Sequence, residues 1–379
     1  MKIWYISRSY YPTITGGTII RKAQVDFLML AGFNVEVVTP LYYSQHPIFD
    51  KSINRLPLSR WALKIGMLFE RLGFFDDYMD IWVNKSYKFL INKVRSEDIV
   101  FSTSGGELGC IKLGSLLKKM TGCKHVVNYH DPLDYSLVNG KIIDNRLHAS
   151  REYAEYKYLK DSDLVITSSQ LNKASLQDKY PEIAKKIVNE YFGYVDSAIQ
   201  VKRKSSNKLS IAYGGSFTAH QSPDILAKAG SQIPNVDILF IGHWESYKPL
   251  AKYASTCQFV KSLPNKEYLA FITKNVDVGF VSLASNYLGA CVPSKIFEYI
   301  NLGIPILGAL PDGDGKDIIN NNGYGIAVDF DDIPALMNAI EVMKNPNKLN
   351  QYQAAIALDR DKWAMDSRMK KVVSWLQAI

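Results

Sequence analysis

Residues 287–305 read YLGACVPSKIFEYINLGIP and hold the residue types that could grip a nucleotide. Pro293 ends a polar, glycine-bearing loop and opens a short helix. Ser294 and Lys295 stand in its first turn, Glu298 follows about one turn on, and Gly303 can end it. A helix start presents unsatisfied N–H groups and the positive end of the dipole, a setting that suits a diphosphate. Lys295 adds a full positive charge there. Glu298 could accept hydrogen bonds from two neighbouring hydroxyls, as on a ribose. Phosphate and ribose together suggest a nucleotide; the plain alternative is a helix–strand connection with a surface Lys and Glu.

Such a loop and helix need strands on either side, and the chain supplies them repeatedly. Short apolar strands are expected at 2–7, 34–39, 98–102, 125–129 and 163–167, with helices near 18–31, 110–120, 144–160 and 170–179. The basic, polar run KRKSSNK at 202–208 is the best linker candidate. The pattern then restarts, with strands at 209–213, 236–241, 258–261, 276–281, 304–307 and 325–328. The expected fold class is α/β, two Rossmann-like doubly wound domains facing across a cleft. The first spans 1–201, with a basic and aromatic insertion at about 42–95; the second spans 209–360; an amphipathic helix over 361–379 closes the chain. Open α/β sheets bind ligands at the carboxyl ends of their strands. His130 and Asp131 stand on the loop after one such strand, where function outweighs the plain reading of a polar His and a capping Asp. Gly16 and Gly17, and again Gly214 and Gly215, permit close approach of a phosphate or sugar to the backbone. Ser216 can donate a hydrogen bond.

Composition bounds the rest. The chain has 379 residues, nearly half of them apolar and about a fifth charged, which suits two globular domains. Cys110, Cys123, Cys257 and Cys291 lie far apart, which reads as reduced thiols in the cytoplasm rather than a disulfide frame or a zinc site. No signal-peptide core or membrane-spanning run is visible, so a soluble or peripheral protein is expected. The formal charge is +8, and residues 51–95 hold nine Lys/Arg against four Asp/Glu, or +5. No nucleic-acid-binding signature accompanies that charge, so no nucleic-acid partner is expected. An anionic inner membrane face fits better. Residues 55–78, RLPLSRWALKIGMLFERLGFFDDY, either dock there or form a helical hairpin packed on the domain.

The P-x-K-x-x-E-Y…G-x-P run resembles the donor-nucleotide motif in one branch of glycosyltransferase family 4. The likeness covers most of the chain outside 42–95. The segment SYYPTITGGTIIRKAQVDFLMLAGFNVEVVT resembles the family's opening strand, Gly-Gly loop and helix, and VVNYHDPLDY the place where it often has His-Asp or Arg-Asp-Pro near the donor sugar. IAYGGSFTAHQS resembles the opening of its second domain. There the family often places an Arg and a Lys on the leaving phosphates, whereas this chain offers His220 and Gln221. ILFIGHWES and FVKSLPNKEYLAFI resemble segments that line the cleft, at Gly242-His243, and meet the base, at Val260–Leu263. Family 4 often has a second glutamate eight positions before the one matched by Glu298; that position is Ala290.

The resemblance implies the GT-B architecture, with the C-terminal helix crossing back to the first domain, and a retaining transfer of sugar from a nucleoside diphosphate sugar to a hydroxyl, with no metal and no cofactor. The acceptor it implies is a lipid-linked glycan in bacterial surface polysaccharide synthesis. His130, Asp131 and Lys295 would be catalytic. Gly16, Gly17, Gly214, Gly215, Ser216, His220, Gly242, Ser294, Lys295 and Glu298 would bind the donor. Competing readings are a nucleotide-sugar epimerase, a non-catalytic nucleotide-sugar binding protein and a membrane-surface scaffold.

Overall fold

The structure, a computed structural model, describes residues 1–13, 15–42, 50, 52–133, 145–195 and 207–379. The chain divides into two compact units, Met1–Tyr191 with Arg368–Ile379, and Phe192–Ser367.

In the first unit the strands are β1 (Lys2–Ile6), β2 (Asn34–Tyr42), β3 (Ile53–Leu58), β4 (Ile99–Gly105), β5 (Lys124–Asp131), β6 (Leu164–Thr167) and β7 (Ile187–Asn189). They form one parallel sheet in the order β3-β2-β1-β4-β5-β6-β7. Its helices are α1 (Gly16–Leu30), α2 (Arg60–Arg71), α3 (Asp80–Leu90), α4 (Gly109–Thr121), α5 (Asn145–Leu159) and α6 (Gln170–Lys179). Both faces of the sheet are covered, so β1 and β4 are buried almost throughout and read as apolar runs rather than as alternation. Trp4, Ile6, Val38 and Val100 pack with Trp82, Val83 and Leu113 on one side. Tyr5 stacks on Phe101 with ring centroids 5.3 Å apart, and its hydroxyl donates to Gln24 of α1 at 2.7 Å.

Within the 42–95 stretch, β3 extends the sheet beside β2, and α3 supplies core through Trp82, Val83 and Leu90. The short edge strand β7 also joins the sheet. Strands that pair at an edge carry little periodicity of their own, so neither stood out in the sequence.

The second unit repeats the plan with β8 (Leu209–Gly214), β9 (Val236–Ile241), β10 (Gln258–Val260), β11 (Val278–Ser282), β12 (Ile306–Ala309) and β13 (Gly325–Val328). Its sheet is parallel, in the order β10-β9-β8-β11-β12-β13. Its helices are α7 (Asp224–Gly230), α8 (Asn265–Asn275), α9 (Ser294–Leu302), α10 (Asp314–Asn321), α11 (Ile333–Met343) and α12 (Pro346–Asp359). Ile211, Phe240, Val278, Phe280 and Leu307 form its core with Leu226, Leu336 and Ile340.

The boundary falls at Tyr191/Phe192, ahead of the expected linker, of which residues 202–206 lie outside the described residues. Nor do residues 361–379 form one helix. Trp363 lies in a 3-10 turn of the second unit, 5.3 Å from the Phe297 ring, and its indole N–H donates to the Tyr324 hydroxyl at 2.9 Å. Only then does α13 (Met365–Ala378) begin, and its residues from Arg368 onward belong to the first unit, where Arg368 pairs with Glu190 at 3.1 Å. The four cysteines are buried free thiols. Among the described residues no helix is long and apolar enough to cross a membrane.

Candidate functional site

Each sheet order reverses once, between β1 and β4 and between β8 and β11. A reversal leaves a crevice at the strands' carboxyl ends, because the flanking connections run to opposite sides. The sequence-predicted residues collect at these two places.

In the second unit, β8 runs into Gly214, Gly215 and Ser216, and β11 runs through Ser282 into the loop that precedes α9. The loops are tied together: Ala284 N–H donates to the His220 carbonyl at 2.7 Å. Gly242, at φ 139°, adopts a backbone conformation that favours glycine, and a Cβ there would lie 3.0 Å from the Gly215 carbonyl oxygen. Gly313 opens α10 against the same loop, where a Cβ would fall 2.1 Å from the Gly289 carbonyl oxygen. Helix α9 starts at Ser294 with Pro293 as N-cap and no capping side chain. The Ile296 N–H already donates to the Pro293 carbonyl at 3.0 Å, which leaves the Ser294 and Lys295 amides as the orphan donors that a helix start presents.

Lys295 donates to Glu298 Oε1 at 2.7 Å and Oε2 at 2.9 Å, and its ammonium lies 4.1 Å from the centroid of the Tyr268 ring. Tyr268, from α8, is wedged beneath β8: a Cβ on Gly214 would sit 2.3 Å from its hydroxyl. Burial, with Tyr299 and Glu298 beside it, pushes its phenol well up, so it stays protonated. The sequence offered no role for Tyr268, since an aromatic in the second turn of a helix reads as core. Burial also lowers the pKa of His220, so at pH 7 it offers a hydrogen bond rather than a charge.

In the first unit, Gly16 and Gly17 are the first residues of α1 rather than the loop before a helix at 18–31, and that start is already capped. Thr15 Oγ1 accepts from Thr18 N–H at 3.2 Å and Thr18 Oγ1 from Thr15 N–H at 2.8 Å. Gly17 instead leaves room for Arg21, whose Nη1 would lie 3.3 Å from a Cβ there. A register shift between Ser104 and Gly105 sets Gly105 opposite Asp131. A Cβ on Gly105 would meet Arg21 Nη2 at 3.4 Å, Glu107 Oε2 at 3.6 Å and Asp131 Oδ2 at 3.7 Å. Three charged groups thus converge where the chain has no side chain. Glu107 accepts from Gly105 N–H at 3.0 Å and pairs with Arg8 at 3.4 Å, while Arg21 donates to Ser9 Oγ at 2.8 Å. Burial pushes the Asp131 carboxyl up to about 6; Arg21 opposes that and Glu107 adds to it. Burial and Arg21 hold His130 well below the usual imidazole range, hence neutral, and its carbonyl accepts from Ser168 Oγ at 2.6 Å. Sequence reasoning missed Arg8, Arg21 and Glu107. The carboxyl-end rule that singled out His130 applies equally to Ser104–Glu107 and would have found the last.

No protein-family model and no curated protein matches the chain. Solved structures do. HepE of Anabaena, solved in complex with UDP-glucose, matches with a TM-score of 0.70 at 12% identity over 100% of both chains. Sucrose-phosphate synthase from Thermosynechococcus elongatus gives 0.70 at 15% identity, covering 100% of this chain and 99% of that one. WaaG, a glycosyltransferase involved in lipopolysaccharide biosynthesis, gives 0.70 at 14% identity over 98% of each. Two doubly wound parallel-sheet units, matched from end to end by these proteins, give the chain the GT-B fold.

Proposed function

We propose that this chain is a retaining glycosyltransferase similar to family 4, moving a sugar from a nucleoside diphosphate sugar to a hydroxyl. The observation that carries the reading is the uncapped start of α9, with Ser294 and Lys295, at the β8/β11 reversal beside Gly214 and Gly215. In this reading the diphosphate lies against the α9 amides, and Gly214, Gly215 and Gly242 let it approach the backbone. Ser216 and His220 donate hydrogen bonds, and Glu298 holds the ribose. HepE, with the same fold, was solved with UDP-glucose.

The bond from the sugar's anomeric carbon to the phosphate oxygen breaks as one to the acceptor oxygen forms on the same face. The acceptor's proton passes to the leaving phosphate. Fixed amides and Lys295 stabilise the charge that develops there. Gly16, Gly17, His130 and Asp131 of the first unit serve the sugar and the acceptor, with neutral His130 as a hydrogen-bonding group. The acceptor is read as a lipid-linked glycan of bacterial surface polysaccharide synthesis, met at the inner membrane face.

A thermal-shift screen of nucleotides, followed by donor turnover with and without acceptor lipid, tests this. Nucleotide binding with acceptor-dependent release of the nucleoside diphosphate is expected. Donor conversion without acceptor would make the protein an epimerase, binding without turnover a nucleotide-sugar binding protein, and no nucleotide binding would remove the site.

A further inference from the structure

Helix α2 carries three separate stripes. Ala62, Gly66 and Glu70, spaced four apart, are its buried residues. Gly66 lies so close to α3's lead-in that a Cβ there would fall 2.0 Å from the Tyr78 carbonyl oxygen. Glu70 accepts from buried Arg151 at 2.5 Å, and Arg151 also donates to the Gly106 carbonyl at 3.1 Å. These contacts fix how the helix is rotated. The second stripe, Trp61, Ile65, Leu68 and Leu72, follows the i, i+4, i+7, i+11 spacing of one helix face and points to solvent. Trp61 is 74% exposed, and Leu68 and Leu72 are 55% each. Phe74, 72% exposed, stands just past the helix and packs edge-on against Phe69, centroids 5.7 Å apart. The third stripe, Arg60, Lys64 and Arg71, runs alongside the apolar one, and Glu70, the only acidic residue of the helix, faces inward.

An apolar stripe this rich in large side chains is not an ordinary monomer surface. The cationic stripe beside it selects the occupant. A helix lying in a membrane interface buries its apolar face while Lys and Arg beside it reach the headgroups. We infer that this face of α2, with Phe74, docks the first unit on an anionic lipid bilayer. The inference extends the reading of a lipid-linked acceptor by naming the surface and its partner. Its test contains no nucleotide, so it and the α9 site can fail separately.

The full chain is sedimented with vesicles of phosphatidylcholine alone or mixed with phosphatidylglycerol. Sedimentation with the mixed vesicles, weakened by salt, is expected, and little with phosphatidylcholine alone. Lys64→Gln with Arg71→Gln should weaken binding roughly thirty-fold at low salt, at about 1 kcal/mol per cation near an anionic surface. Trp61→Ser with Leu68→Ser and Leu72→Ser should abolish binding at any salt. These residues are exposed, and an unchanged Tm confirms folding. Vesicle binding that is absent in the parent chain, or equal in parent and variants, overturns the inference. So does light scattering that shows a dimer in the parent and a monomer in the serine variant, since a second copy would then cover the face.

Discussion

Lys295 holds both carboxylate oxygens of Glu298, at 2.7 and 2.9 Å, while its ammonium rests 4.1 Å from the Tyr268 ring centroid. An ammonium has three hydrogens, and these contacts engage them within the unit. A phosphate that reaches Lys295 must share it with Glu298. The pair largely cancels its own charge, so the α9 dipole and amides are the net positive element.

That division predicts different losses from the two residues. Lys295→Ala should weaken binding of UDP or GDP roughly tenfold or more, the ~1.5–3 kcal/mol of a hydrogen bond to a charged group, and leave the nucleoside unaffected. Glu298→Ala should weaken nucleoside and nucleotide alike. Isothermal titration checks both, and unchanged affinity in both variants sinks the site.

Gly214 and Gly215 should part company on substitution. Gly214→Ala drives a methyl into the buried Tyr268 hydroxyl, 2.3 Å away, and should cost about 1–3 kcal/mol, read as a lower Tm. Gly215→Ala has its nearest neighbour at 3.6 Å and should leave Tm unchanged. A drop in nucleotide affinity in the second variant then reports ligand against the backbone there.

Asp131 should impose a pH dependence near 6. Its folded-state pKa is raised, so the folded protein holds that proton more tightly than the unfolded chain. Its contribution to stability falls as pH rises from about 4 through about 6. Asp131→Asn should therefore be more stable than the parent above pH 6, on the order of 3 kcal/mol by denaturant midpoint. If transfer needs the carboxylate, kcat/KM rises through the same range, and the inflection disappears in the variant.

His125 should act in the opposite direction. It is fully buried beside Ser102, and burial lowers its pKa to about 3. The unfolded chain takes up a proton that the folded one refuses, so stability falls as pH drops below about 6.5. Roughly 2 kcal/mol should be lost by pH 5. Tm measured across that range checks this, and a slope unchanged in His125→Gln would contradict it.

Arg151 joins α2 to the loop that carries Glu107. Besides Glu70 and the Gly106 carbonyl, it meets Asp77, whose carboxylate accepts from Leu108 N–H at 2.8 Å. Arg151→Met would leave two buried carboxylates short of their cation and should cost about 3–5 kcal/mol in urea unfolding. An effect below 1 kcal/mol would show that the network does not hold the loop.

Much of the strand and helix order was legible in the chain, because buried parallel strands are short apolar runs and α9 announces itself by Pro293 and Gly303. Edge strands β3 and β7, and the placing of Trp363 in a turn, were not legible. Each depends on a partner far along the chain, such as β2 for β3 or Tyr324 for Trp363.

The candidate site divides the same way. Residue types and spacing marked Ser294, Lys295, Glu298 and His130-Asp131, and with the family resemblance the glycine loops, since a helix start, a charge and a missing side chain are local properties. Only the tertiary structure set Tyr268 under Lys295, gathered Arg21, Glu107 and Asp131 around Gly105, and turned the Trp61 stripe of α2 outward. Those outcomes follow from sheet order, register and helix rotation, which long-range packing decides and no local pattern records.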